Sequence, residues 1–493
     1  DDIVACVKQR PASVAIFFNY GQAFTESAQD FCQMLPFGDA TLIEDHLPQE
    51  ISTMAAESMR PPAPEGEAEN KAREASAAQG RRPNASSVID TMLSHDSGGN
   101  QSCGTDIELA ETRPLQFHTF MKLTEGEEEL PPLTELLDDM PRVFGELHPS
   151  CGAYALLGQP DEAARSTSSV LCMMWLLTNK YEYFTEGQSE TSRLSDEQWE
   201  ELRDFVEWVN PSQEMIAALF AVLVMRGLGK VKQLTNLLPE EHRSPEKAVV
   251  FLVKTHPTLV PSVSVLSTDM LEIMKNALMI QDAFNFGQML QGENLPSHLK
   301  QLASLVTVYG QDTLKFYLLV LVGVFCGIRG KESLTSSLFM NAKTAGSIAR
   351  GIRCLKHLST SSPHAIYWTY LAESAVPLGL PTTSMEELVV VRLACLMRAG
   401  DAQDVTVLKD TWSGLNMANR QVLMRHFLAD GIKETGFMFA FLPEYLANAR
   451  KNPAVGFERA LLLFVDLLEY VSAEAPISED TTTFRVALKD LAA

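Results

Sequence analysis

At 493 residues, 46% of them hydrophobic and 21% charged, the chain has the balance of a folded globular protein, which excludes a fibrous or wholly disordered one. A formal charge of -23 repels phosphate backbones and anionic headgroups, so nucleic acid and membrane surfaces are poor partners. The length exceeds what one hydrophobic core commonly serves and suggests roughly two to four units.

The chain opens on Asp1-Asp2-Ile3-Val4 without methionine, so the true N-terminus and any targeting segment are left open, and a cytoplasmic location is the expectation. Residues 1–53 form a short N-terminal segment. Its apolar run Val14-Ala15-Ile16-Phe17-Phe18 fits either a strand or part of a buried helix. From 54 to 112 the composition turns to Arg60-Pro61-Pro62-Ala63-Pro64, an Ala/Glu/Lys/Ser stretch and Ser97-Gly98-Gly99-Asn100, the marks of a disordered linker. Asn84-Ala85-Ser86 matches a glycosylation sequon, but a three-residue pattern in a chain whose cysteines read as reduced thiols is expected to be chance. Residues 113–150 are an acidic connector, with Glu125 to Glu129 followed by Pro131-Pro132.

From 151 to 475 the pattern is helical, and 476–493 is left as a C-terminal tail. Ser195-Asp196-Glu197-Gln198 is a capping box ahead of Trp199, Leu202, Phe205, Val206 and Val209 at helical spacing, and Asn210-Pro211 ends the run. Ser244-Pro245 and Ser384-Met385-Glu386-Glu387 open further helices. Another is expected from Asn452-Pro453, with Phe457, Leu461, Phe464, Val465 and Leu468 on one side. The run Phe316 to Ile328 is shorter than the ~20 residues that cross a bilayer and reads as a buried helix. With no hairpin alternation and no fixed-period repeat, the expected fold is an all-α, compact multi-helix domain.

Eight cysteines show no Cys-x-x-Cys spacing, and there is no His-x-x-x-His, so no zinc pattern exists. Cys326, Cys354 and Cys395 lie in apolar stretches, as buried thiols of a reducing compartment would. Gly327-Ile328-Arg329-Gly330-Lys331-Glu332 departs from a phosphate loop at two positions, and Gly227-Leu228-Gly229 lacks the third glycine of a dinucleotide fingerprint. No motif calls for a cofactor. Tyr367, Trp368 and Tyr370 suit a stacking platform, but aromatics crowded on a helix more often build core.

The apolar helix from Leu219 to Met225 that runs into Arg226-Gly227-Leu228-Gly229-Lys230 resembles the signature helix of HD-domain proteins. The stretch Phe284-Asn285-Phe286-Gly287-Gln288 to Gln291-Gly292-Glu293-Asn294-Leu295-Pro296 is also similar to part of an uncharacterised eukaryotic group of HD-like proteins. The resemblance covers roughly residues 165 to 350 and implies an HD-like core. In that superfamily a His-Asp pair binds divalent metals that activate water against phosphate esters. Here Arg226 and Gly227 stand at the positions of that pair, and a guanidinium cannot coordinate a metal.

The expected function is therefore non-catalytic: binding, regulation or scaffolding by a degenerate HD-like domain. Its candidate pocket comprises Arg226, Gly227, Lys230, His242 and His256, and its partner is a protein or a small anionic ligand, with no metal. The bland reading of Gly227, Gly229 and Lys230 is helix termination and a cation at a helix C-terminus. Two other readings stand beside it. One is a phosphohydrolase using His242, His256 and Asp269 or Asp282 as metal ligands; the other is a helical adaptor unrelated to HD domains.

Overall fold

The computed structural model describes residues 117–125, 130–149, 151, 153–154, 160–452, 455–474 and 482–488. The apolar run at 14–18, the 54–112 linker and the sequon at Asn84 lie outside them. Over the described residues the chain is all-α, with two short strands.

A helix over 117–122 precedes α1 (Leu133–Val143), α2 (Pro160–Leu177) and the short α3 (Tyr181–Thr185). Next come α4 (Asp196–Val209), α5 (Gln213–Met225), a 3-10 turn over Arg226–Lys230, α6 (Lys232–Thr235), α7 (Pro245–Thr255) and α8 (Thr268–Ala283). Then follow α9 (Phe286–Leu290), α10 (Pro296–Tyr309), α11 (Gln311–Cys326), α12 (Ala342–Lys356), α13 (Pro363–Ala375), α14 (Met385–Leu396), α15 (Ala402–Gly414) and α16 (Met417–Leu428). Strand β1 (Gly436–Ala440), α17 (Leu442–Lys451), α18 (Phe457–Glu474) and β2 (Thr483–Ala487) complete the chain.

The helix starts follow from their caps. The Ser195 hydroxyl accepts from Gln198 N–H while the Gln198 side chain returns to Ser195, and Ser384 with Glu387 repeats the arrangement on α14. Ser244 differs. It precedes Pro245 at the first turn of α7, yet its side chain makes no capping hydrogen bond. The helix expected from Asn452-Pro453 begins at Phe457, and the five apolar residues assigned to its inner face are all buried.

Two helices without a polar face organise the first half of the core. On α5 every residue from Met215 to Met225 is buried, and on α11 so is every residue from Phe316 to Cys326. A helix apolar all round has to be surrounded. Helix α2 packs on both of them, and α8 packs on α11 and α5. The aromatic pairs Phe117–Phe144, Phe120–Phe220 and Phe144–Phe220 join the 117–122 helix and residue 144 to α5, each edge-on with ring centroids 5.8 to 6.3 Å apart. Glu146 is fully buried, with its carboxylate accepting the Ser262 N–H at 2.9 Å.

The helical body thus reaches further than the 151–475 expected from sequence. The acidic connector supplies packed helices, and β2, in the stretch read as a tail, pairs in parallel with β1 from Gly436–Thr483 to Ala440–Ala487. In the second half α13 packs on α10 and α12, α14 on α13 and α16, and α18 on α16 and α17. Among the described residues, no single helix is long and apolar enough to cross a membrane.

Candidate functional site

Helix α5 ends at Met225, and the chain then tightens into the 3-10 turn, which Gly229 permits. A Cβ on Gly229 would stand 2.0 Å from the Pro245 carbonyl oxygen, so only glycine lets the start of α7 close over the turn. Near it, α11 ends at Cys326. A Cβ on Gly327 would lie 2.0 Å from Ser169 Oγ and 2.4 Å from the Arg165 carbonyl oxygen. Gly327, from the stretch that departs from a phosphate loop, therefore lets this chain reversal close against α2.

Between these two helix ends and the first half of α2 lies a small, partly open cleft with about 20 Å³ of interior space. Leu223, Val324 and Ile328 give it apolar walls, and Ser166 and Ser169 contribute hydroxyl side chains. Its charged residues are Glu162, Arg165, Arg226 and Lys230, three cations and one carboxylate. Lys230 Nζ donates to Glu162 Oε2 at 3.2 Å, and Arg165 Nη1 donates to Glu162 Oε1. The side chains of Lys230 and Glu162 are 11% and 14% exposed, so this pair is largely withdrawn from water.

Desolvation makes the site electrostatically tense. Burial pushes the Glu162 carboxyl up, but Lys230, Arg165 and Arg226 together outweigh it and hold the group below its ordinary range. Burial also drives the Lys230 ammonium down, Arg226 adds to that by repulsion, and Glu162 opposes it. Three of these placements have an ordinary component, since Glu162 lies in the first turn of α2 and Arg226 and Lys230 follow the C-terminus of α5. Their convergence from separate elements on one partly enclosed cleft goes beyond capping.

The sequence-derived candidates divide. Arg226 and Lys230 line the cleft, and Gly227 is buried in the turn between them. His242 and His256 do not line it. They flank Phe251 on α7, with ring centroids 5.2 and 6.2 Å from it, and His256 Nδ1 shares a 2.7 Å hydrogen bond with the Thr255 hydroxyl. Asp282 is ion-paired with Lys247 at 3.0 Å. Among the described residues no three His, Cys, Asp or Glu side chains group as a metal site, so the alternative ligand set of His242, His256 and Asp269 or Asp282 does not converge. Sequence reasoning missed Glu162, Arg165, Ser166 and Ser169, for which the only local signal was the Glu162–Arg165 spacing of three on one helix face.

The second segment with an HD-like look is architectural. Residues 291–295 form an irregular buried turn whose carbonyls at Gly292, Glu293 and Asn294 accept from the Arg392 guanidinium, which also donates to Phe427 O. Tyr367 and Tyr370 are core, their hydroxyls donating to Gly292 O and Leu290 O.

Over the described residues, fold and cleft together define a mostly α-helical protein with a cation-rich recess between helix ends. The chain belongs to the family of unknown function DUF6829, whose model matches residues 141–483, more than half of its length. No curated protein and no solved structure matches it.

Proposed function

We propose that this chain is a non-catalytic binding protein, a degenerate HD-like domain whose cleft beside Arg226 takes a small anionic ligand. The carrying observation is the charge balance of the cleft-lining residues, with Arg165, Arg226 and Lys230 facing the single carboxylate of Glu162. In a recess walled by Leu223, Val324 and Ile328, burial first and repulsion from Arg226 second push the Lys230 ammonium down, and an entering anion would offset both. The guanidinium of Arg226 stands where the resemblance places a metal ligand, which favours anion capture over metal chemistry.

Calorimetric titration of the full-length chain with inorganic phosphate tests this. The wild type should bind, and Arg226→Glu should weaken binding by at least about tenfold, the equivalent of one charge-assisted hydrogen bond. A wild type that takes up no small anion, or a charge-reversed variant that binds as well, overturns the reading.

A further inference from the structure

Glu162 is the odd member of the cleft. Every other charged group there donates to an anion, whereas an ionised carboxylate only accepts. Its two oxygens are held by Lys230 and by Arg165, so it cannot swing away without breaking both ion pairs. An oxyanion that reaches Arg165, Arg226 and Lys230 therefore shares the recess with a fixed negative charge.

Resting on the anion-binding reading above, we infer that the cleft selects oxyanions which keep an O–H at neutral pH, inorganic phosphate above all, over fully deprotonated ones such as sulfate. Hydrogen phosphate presents its unprotonated oxygens to the cations and donates its remaining proton to Glu162. Sulfate has no proton to give, and against Glu162 it sets lone pair against lone pair, a buried unsatisfied contact costly enough to discriminate. The three neighbouring cations keep Glu162 ionised well below neutral pH, which preserves the acceptor. Ser166 and Ser169 add hydroxyls that either donate or accept and so do not oppose the preference.

Parallel titrations of the full-length protein with phosphate and with sulfate at pH 7 decide the matter. The wild type should prefer phosphate by about tenfold or more, a gap of one charged hydrogen bond. Glu162→Gln should narrow that gap to a few-fold, chiefly by tightening sulfate, because an amide donates as well as accepts. A measurement independent of that variant's folding uses phenyl phosphate on the wild type, which should bind more weakly as pH rises through about 6, where a phosphate ester loses its last proton. Inorganic phosphate, which keeps a proton, should hold its affinity across the same interval. Equal wild-type affinity for phosphate and sulfate, or a gap unchanged in Glu162→Gln, overturns the selectivity while leaving anion binding intact. Binding of neither ion overturns both.

Discussion

Single residues bear the sharpest consequences, and two histidines, the half-buried His298 and the buried His426, are the clearest. His298 Nδ1 accepts the Leu295 N–H at 3.0 Å, which only a neutral imidazole can do, and burial pushes its pKa down to about 4. His426, 7% exposed and 3.2 Å from the Ser472 hydroxyl, is likewise pushed down to about 4 by burial, with help from Arg425. The unfolded chain protonates both near 6.5, so it binds more protons than the fold between pH 6.5 and 4, and stability falls as pH drops through that window. Each histidine contributes up to about 3 kcal/mol of this loss. Denaturant titrations at pH 7 and pH 4.5 should show it, and His298→Gln should remove about half of the histidine share. Equal stability at the two pH values would contradict the assignment. Arg392 is the other sensitive residue. At 3% exposed it serves four carbonyls from two segments, and Arg392→Lys cannot reproduce that fork, so a loss of about 3 kcal/mol is expected in the same assay.

At the level of elements, helix ends were the most legible feature. The Ser195 and Ser384 boxes and the buried run from Phe316 follow from local rules alone, because a cap is satisfied within one turn and an apolar run declares its own burial. Ser195→Ala should cost about 1 kcal/mol. Gly327→Ala should cost more, above about 2 kcal/mol, since its Cβ meets Ser169 Oγ and the Arg165 backbone, whereas Gly400→Ala, near only the flexible end of Lys343, should fall within about 0.5 kcal/mol of wild type. Comparable melting temperatures for the two alanine variants would refute the close approach at Gly327. The strands were not legible. β1 is buried at all five positions and so lacks the alternation that betrays a half-exposed strand; β2 does alternate, with Phe484 and Val486 buried, but over only five residues, and its parallel partner lies beyond two intervening helices.

For the whole molecule, fold class could be read from sequence, and half of the site could not. Arg226 and Lys230 were found because they share one short motif with the helix that carries them. Glu162 and Arg165 reach the same cleft from more than sixty residues earlier in the chain, a convergence no local spacing encodes. His242 and His256 were drawn in by nearness along the chain and by the ligands expected of an HD-like domain; the turn at Arg226–Lys230 and helix α7 instead lead them to Phe251. A net charge of -23 also gives no hint that three cations gather in one recess. That recess is the centre of the account, and the most direct measurement is a crystal structure of the full-length protein grown with arsenate, which mimics phosphate, keeps an O–H and scatters anomalously. An anomalous peak is expected among Arg165, Arg226 and Lys230, with an arsenate oxygen facing Glu162. Ordered arsenate elsewhere with the cleft holding only water would contradict it.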